Sequence, residues 1–132
     1  VSLGAGNIND TSGEMGAAAA ALRAHGCAVA VTDVAIADQA LAEDVYAVRA
    51  YPLARYYRAF DLVIAATGYN SFHEVLRLGV PTIFVPNTAT SLDDQVARAS
   101  YAVARGWARS VASATDSDSC GTLTSIIMLT PD

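Results

Sequence analysis

Two short apolar runs, residues 62–66 and 80–85, contain no alternating polar positions. Such runs are typical of strands that are buried on both faces of a parallel sheet. The segment between them has helix-forming residues and ends at Gly79, a residue that favours a helix terminus. A strand, a helix and a second parallel strand form a right-handed crossover. Residues 61–95 therefore predict a βαβ unit that is followed by a polar loop.

The rest of the chain continues this alternation. Further strands are predicted at residues 1–3, 27–32, 45–49 and 107–111, and further helices at 14–25, 37–43, 53–60 and 92–105. One apolar face of the last helix is predicted to comprise Val96, Ala99, Ala102 and Val103. The pattern predicts an α/β fold, a Rossmann-like parallel sheet flanked by helices. Ligands of such sheets bind at the carboxyl ends of the strands, where the strand order reverses.

Composition limits the possible functions. The chain has 132 residues, 53% of them apolar, which suits one domain with its own core. A net charge of −5 argues against broad nucleic-acid binding. The two cysteines are far apart in sequence, so no disulfide framework is predicted. Neither of the two histidines has a partner at the spacing of metal ligands, so no protein-held metal is predicted, and no cofactor is expected. No membrane span is predicted, and a cytoplasmic setting is expected.

We expect residues 1–112 to form one Rossmann-like domain and residues 113–132 to form a polar loop and terminal segment. The sequence begins inside one apolar run and ends shortly after another. This indicates a piece of a longer protein. Tyr51, Tyr56 and Tyr57 lie together near Pro52, and we expect them to pack mostly against the sheet.

The turn of Gly68, Tyr69, Asn70 and Ser71 follows the first strand of the βαβ unit and opens its helix. The first amides of a helix have no intrahelical acceptor, and the helix dipole favours an anion there by about 0.3–1 kcal/mol. Glu74 follows within the same helix. Ser71 and Glu74 also match a capping box, in which Glu74 would be merely structural. The sequence leaves both interpretations open.

Asp93, Asp94 and Gln95 follow the second strand of the unit. Carboxylates accept hydrogen bonds from sugar hydroxyls, and a glutamine amide can both donate and accept. Acidic residues in the first turn of a helix are also stabilising without any ligand, which is the alternative. With the anion turn and Glu74, these residues predict a site for a nucleotide sugar.

A weaker signal lies after the first predicted strand. Gly4 and Gly6 resemble a shortened phosphate loop, because glycines let the backbone approach an anion closely. Asn9 occupies the position of the third glycine of a dinucleotide fingerprint, so an ordinary turn between strand and helix is the alternative. Asn7 and Asn9 are candidate ligand contacts in this loop.

The ordered pattern DLVIAATGYNSFHEVLRLGVPTIFVPN, followed by DDQ, resembles the C-terminal, donor-binding domain of GT-B glycosyltransferases. The most similar group is glycosyltransferase family 28, the MurG-like family. The resemblance extends from Gly4 to about Trp107. It implies that the chain is the C-terminal half of a GT-B fold.

The resemblance also implies roles for individual residues. Glu74 would accept hydrogen bonds from the ribose hydroxyls of a UDP-sugar, and the turn at residues 68–71 would bind its diphosphate through backbone amides. Asp94 and Gln95, next to Asp93, would hold the hydroxyls of the donor sugar. The segment of Ala50 and Tyr51 would present backbone groups to the uracil edge. The loop at residues 4–9 would face the cleft near the phosphates.

The implied reaction is transfer of a sugar, often N-acetylglucosamine, from a UDP-sugar to a hydroxyl acceptor. In such enzymes the acceptor site and the catalytic base lie in the N-terminal domain, so no catalytic residue is expected in this chain. The expected partner is that domain or a separate subunit. It could present a lipid-linked acceptor at the inner face of the membrane.

Three alternatives stay open. The first is an isomerase like UDP-N-acetylglucosamine 2-epimerase, which shares the fold. The second is a nucleotide-sugar-binding module or subunit without catalysis. The third is a Rossmann-like domain in which the motifs are only structural.

Overall fold

The computed structural model describes residues 1–2, 12–32, 45–88 and 93–113. Its α-helices are α1 (Ser12–Ala24), α2 (Tyr69–Leu78) and α3 (Gln95–Ala104), and a 3-10 helix spans Leu53–Ala59. The strands are β1 (Val29–Val31), β2 (Val45–Ala47), β3 (Val63–Ala65), β4 (Thr82–Phe84) and β5 (Arg109–Ser110). These elements follow the predicted order. The helix predicted at 37–43 and residues 114–132 of the terminal segment lie outside the described residues.

The described strands pair in parallel, with β1 beside β2 and with β4 between β3 and β5. Residues 1–2 lie between β1 and β3 and join the two groups. The joining bonds are Val1 N to Ala30 O (2.6 Å), Thr32 N to Val1 O (3.0 Å), Ser2 N to Ile64 O (2.8 Å) and Ala66 N to Ser2 O (3.0 Å). The spatial order is thus β2, β1, residues 1–2, β3, β4, β5. This is the doubly wound Rossmann order, and it reverses between residues 1–2 and β3.

Each face of the sheet has its own core. Ile64 and Ile83 face the small side chains of α1, whereas Val63 and Phe84 face α2 and α3. Every residue of β3 and β4 is buried. The prediction of strands covered on both faces is therefore confirmed, and the alternating side-chain direction of a strand explains it.

Helix α2 ends as the sequence predicted. Phe72 and Val75 are buried, and Gly79 closes the helix with a left-handed φ of 66°. Asparagine and glycine reach this conformation readily, but a residue with a larger side chain is strained there.

The predicted apolar face of α3 was partly wrong. Ala99 and Ala102 are buried, but Val96 is 47% and Val103 is 38% exposed. The polar Gln95 is buried instead. Successive helical residues are about 100° apart, so Gln95, Ala99 and Ala102 lie within about 60° of one another, whereas Val96 and Val103 lie about 80–100° from Gln95.

Candidate functional site

The candidate site lies at the carboxyl edge of the sheet, next to the reversal of strand order. Hydrogen bonds connect the turn after β3, the loop after β4 and the start of α3. Thr67 Oγ1 donates to the Gln95 carbonyl oxygen at 2.8 Å, and Asn87 N donates to Gln95 Oε1 at 2.9 Å. The buried Gln95 therefore fixes two neighbouring loops relative to each other.

The start of α2 leaves backbone amides without side-chain caps. Gly68 is the N-cap residue, with φ −59° and ψ 150°, and no side chain caps the helix. The first helical bond runs from Phe72 N to the Gly68 carbonyl oxygen at 2.9 Å. The amides of Tyr69, Asn70 and Ser71 consequently have no acceptor within the helix. Tyr69 and Asn70 are exposed, so an anion in solvent can reach this turn.

The capping-box interpretation of Glu74 was wrong. A capping box requires Ser71 at the N-cap, but Ser71 is the third residue of α2. Glu74 is half-buried in the second turn. The structure records no hydrogen bond or ion pair between Glu74 and any other residue it describes. Its carboxylate is thus available to a ligand.

Tyr57 lies behind Glu74 and was missed as a site residue. Its side chain is 4% exposed, whereas Tyr51 is 99% and Tyr56 50% exposed, so only one member of the expected packed group is buried. Burial raises the pKa of the Tyr57 phenol and the charge of Glu74 raises it further, while hydrogen bonding with Ser71 and Ser2 opposes the rise. The phenol is neutral at physiological pH. No sequence signal distinguishes it from its neighbours.

Within the segment at residues 93–95, each side chain has a partner in the protein. Asp94 Oδ1 accepts a hydrogen bond from Ala97 N at 2.9 Å and caps α3. Asp93 Oδ1 lies 2.5 Å from Arg98 Nη2. The hydrogen bond from Arg98 is the main reason why the pKa of Asp93 is lowered, so this carboxyl is ionised at neutral pH. The stabilising role that the sequence offered as an alternative is therefore present, with Asp94 as the N-cap.

Arg98 is a second residue that sequence reasoning missed. Its Nη1 donates to the carbonyl oxygen of Thr67, the residue before the anion turn. Its guanidinium carbon lies 5.8 Å from the centre of the Tyr69 ring and 6.0 Å from that of Phe72. The hydrogen bond to Thr67 spans 31 positions of sequence, which is why no local pattern indicates it.

The structure brings the turn at residues 68–71, Glu74 and residues 93–95 together at one edge. Ala50 and Tyr51 follow β2, whose carboxyl end lies on the same edge because the sheet is parallel. Gly4, Gly6, Asn7 and Asn9 lie outside the described residues. In the part of the chain that the structure describes, no three His, Cys, Asp or Glu side chains are grouped to hold a metal ion. No helix of that part is long and apolar enough to cross a membrane.

The strand order and the cores on both faces of the sheet define the chain as a doubly wound, Rossmann-like α/β domain. The family model described as glycosyltransferase family 28 C-terminal domain matches residues 42–119. This match covers more than half of the sequence, and the chain belongs to that family. The prediction from the sequence is confirmed. None of the curated proteins matches significantly.

Solved glycosyltransferase structures share the fold. A kitacinnamycin glycotransferase superimposes with a TM-score of 0.75 at 19% identity, over 98% of this chain and 33% of that one. The spinosyn rhamnosyltransferase SpnG superimposes with a TM-score of 0.75 at 24% identity, over 95% of this chain and 33% of that one. MurG of Acinetobacter baumannii superimposes with a TM-score of 0.65 at 19% identity, over 97% of this chain and 40% of that one. The chain therefore spans between a third and two fifths of the length of these proteins.

Proposed function

We propose that this chain is the donor-binding domain of a glycosyltransferase and that it binds a UDP-sugar, either UDP-N-acetylglucosamine or a related UDP-hexose. The observation that carries the proposal is the pairing of the uncapped helix start at Gly68 with the carboxylate of Glu74. Both lie at the strand-order reversal of a chain that belongs to glycosyltransferase family 28. The first supplies donors for an anion, and the second supplies an acceptor for hydroxyls.

In this proposal the diphosphate lies on the amides of Tyr69, Asn70 and Ser71. Backbone donors suit this task in an acidic chain, because they bring positive potential without a charged side chain. During transfer, negative charge grows on the diphosphate as the bond from its oxygen to the sugar breaks. Fixed amides and the dipole of α2 stabilise that charge.

Glu74 binds the ribose. Its carboxylate accepts from two neighbouring hydroxyls of the donor. The uracil edge lies against the backbone of Ala50 and Tyr51. A ribose contact of this kind favours a ribonucleotide donor, since a 2′-deoxyribose lacks one of the hydroxyls.

The donor sugar lies near residues 93–95. Asp94 caps α3 with Oδ1, and a carboxylate has a second oxygen for a sugar hydroxyl. Gln95 similarly uses Oε1 for Asn87 N, and its amide nitrogen is a hydrogen-bond donor. Asp94 and Gln95 are thus proposed to combine a structural and a binding role.

The acceptor and the catalytic base belong to the rest of the enzyme. We propose an N-terminal GT-B domain or a separate subunit as the partner, in the cytoplasm or at the inner face of the membrane. It would bring a hydroxyl to the sugar carbon that UDP leaves. The 132-residue chain alone then binds UDP but transfers little or no sugar.

Calorimetric titration of UDP into the 132-residue chain tests the proposal. Glu74→Gln should weaken binding about 10-fold to 100-fold, because a hydrogen bond to a charged group contributes about 1.5–3 kcal/mol. Asp61→Asn is the matched control. It removes one carboxylate charge at an exposed position before β3, at the opposite edge of the sheet. Equal UDP affinity in Glu74→Gln and wild type would refute the ribose contact.

Transfer can be separated from isomerisation in the complete enzyme. A transferase releases UDP in proportion to added acceptor, whereas an epimerase changes the donor sugar without any acceptor. The family match is to transferases, and this observation favours transfer. Conversion of the donor sugar in the absence of acceptor would favour the epimerase alternative.

A further inference from the structure

We propose that Arg98 is a positioning residue that holds the diphosphate turn and residues 93–95 in one fixed arrangement. The inference rests on the proposed function, because it concerns how the same donor site is kept in shape. It also changes the role of Asp93, which serves Arg98 rather than the donor sugar.

The first observation is the place that Arg98 occupies. Arg98 is in the first turn of α3, yet its Nη1 reaches back to the carbonyl oxygen of Thr67. Thr67 immediately precedes Gly68, where the amides of the turn begin. A bond at this carbonyl fixes the peptide plane from which the turn starts.

The second observation is that the Arg98 guanidinium contacts two segments at once. Nη2 of the same guanidinium lies 2.5 Å from Asp93 Oδ1. One planar group thus contacts the turn after β3 and the segment before α3 simultaneously. Arginine suits this task because its donors are fixed in a plane, whereas the lysine ammonium is a single point on a flexible stem.

The third observation is that the guanidinium is partly enclosed. The Arg98 side chain is 21% and the Asp93 side chain 33% exposed. The rings of Tyr69 and Phe72 lie on α2, and the guanidinium carbon is within about 6 Å of both ring centres, at 5.8 Å and 6.0 Å, the range of cation–π contact. Arg98 therefore contacts the first turn of α2 as well as Thr67, which precedes the N-cap Gly68.

Asp93 then has a defined function. The Asp93 carboxylate attracts the guanidinium of Arg98. Without this carboxylate, Arg98 would keep the Thr67 carbonyl as an acceptor but would lose its acceptor on the segment before α3. The Thr67 hydroxyl forms a second, uncharged connection between the same elements through the Gln95 carbonyl. Loss of Arg98 should therefore change the relative position of the turn and residues 93–95 more than it lowers the stability of the fold.

The test compares UDP with UMP, which has the ribose and base but lacks the second phosphate. Arg98→Met should lower UDP affinity about tenfold and UMP affinity less than about twofold, because the loosened turn mainly faces the diphosphate. Arg98→Lys should give an intermediate loss. Arg58→Met, which removes an exposed arginine charge from the 3-10 helix, is the matched control and should change neither affinity.

The role of Asp93 is tested with the complete donor. If Asp93 serves Arg98, Asp93→Asn weakens UDP and UDP-N-acetylglucosamine by the same factor. If Asp93 holds a sugar hydroxyl, only the UDP-sugar is weakened, and the assignment is overturned.

Failure of the two proposals is distinguishable. Absence of UDP binding by the wild-type chain would count against the donor-site function. The inference would be overturned by a different result. In that result the wild type binds UDP, and both Arg98→Lys and Arg98→Met keep the wild-type preference for UDP over UMP. Amide hydrogen exchange adds a ligand-free readout. Arg98→Met should speed exchange at residues 68–71, with α1 as the unaffected reference, and unchanged exchange there would also count against the inference.

Discussion

Substitution of two glycines by alanine should separate function from stability in this chain. Gly68 has an ordinary φ of −59°, and a Cβ built there meets no atom within 4 Å among the residues that the structure describes. Gly79 also has open space, but its φ is 66°. The same substitution therefore introduces backbone strain at Gly79, whereas at Gly68 it adds a methyl group to the proposed ligand surface.

For Gly68→Ala the stability terms nearly cancel. A less flexible unfolded chain stabilises by about 0.4–1 kcal/mol, and alanine is a poorer N-cap than glycine by a similar amount. The net change should stay within about 0.5 kcal/mol. In the proposed site, the added methyl group nevertheless lies where the diphosphate approaches the amides. Loss of one charged hydrogen bond then weakens UDP about tenfold or more.

For Gly79→Ala we expect the reverse. The left-handed conformation costs about 1–2 kcal/mol, partly offset in the unfolded state, which leaves a net loss of about 1 kcal/mol. This corresponds to a melting temperature about 3–5 °C lower for a chain of this size. UDP affinity should equal that of the wild type, because Gly79 lies at the far end of α2.

The assays are thermal unfolding followed by circular dichroism and calorimetric titration of UDP, on both variants and the wild type. Wild-type UDP affinity in Gly68→Ala would refute the assignment of the diphosphate to this turn. A large loss of stability in the same variant would show that Gly68 is required by the fold, contrary to the geometry described above.

Three further predictions concern neighbouring residues. The raised pKa of Tyr57 contributes stability that is fully present below the unfolded value of 10.0 and is lost as pH rises through the folded pKa. Unfolding by denaturant at pH 9 to 12 should therefore show a loss of stability that is smaller in Tyr57→Phe, and an equal loss in both chains would contradict the burial argument. Asp94→Ala should cost about 1 kcal/mol through loss of the α3 cap, whereas Asp94→Ser should keep the cap. If Asp94 also holds the donor sugar, Asp94→Ser should still bind UDP-sugar more weakly while binding UDP normally, and unchanged binding of both would limit Asp94 to capping. The 132-residue chain should release no UDP from a UDP-sugar plus acceptor beyond the uncatalysed rate, and robust turnover would show that the catalytic base lies within it.

Much of the fold was predictable because it depends on local patterns. The uninterrupted apolar residues of β3 and β4 indicated burial on both faces, and Gly79 indicated the end of α2. The family followed from one contiguous stretch, residues 61–95, and the family model confirmed it. Periodicity predicted Ala99 and Ala102 of the buried face of α3 correctly, but it wrongly included Val96 and Val103 and missed the buried Gln95.

The candidate site was predictable in part. The sequence placed an anion turn and a carboxylate in order along the chain, but it also allowed Glu74 to be a capping residue. The position of the N-cap excluded the capping box, and a shift of three residues along a helix start cannot be derived from composition. The sequence likewise did not indicate Tyr57 as a neighbour of Glu74.

By itself, the sequence determined the alternation of elements, the family and the polar segments that follow β3 and β4 at one edge of the sheet. These features depend on side-chain type and spacing over a few turns. Only the tertiary structure decided that residues 1–2 lie between β1 and β3, and that Arg98 reaches the carbonyl of Thr67. Such contacts join segments about 30 positions apart, and their energy depends on directions and distances that exist only after the chain has folded.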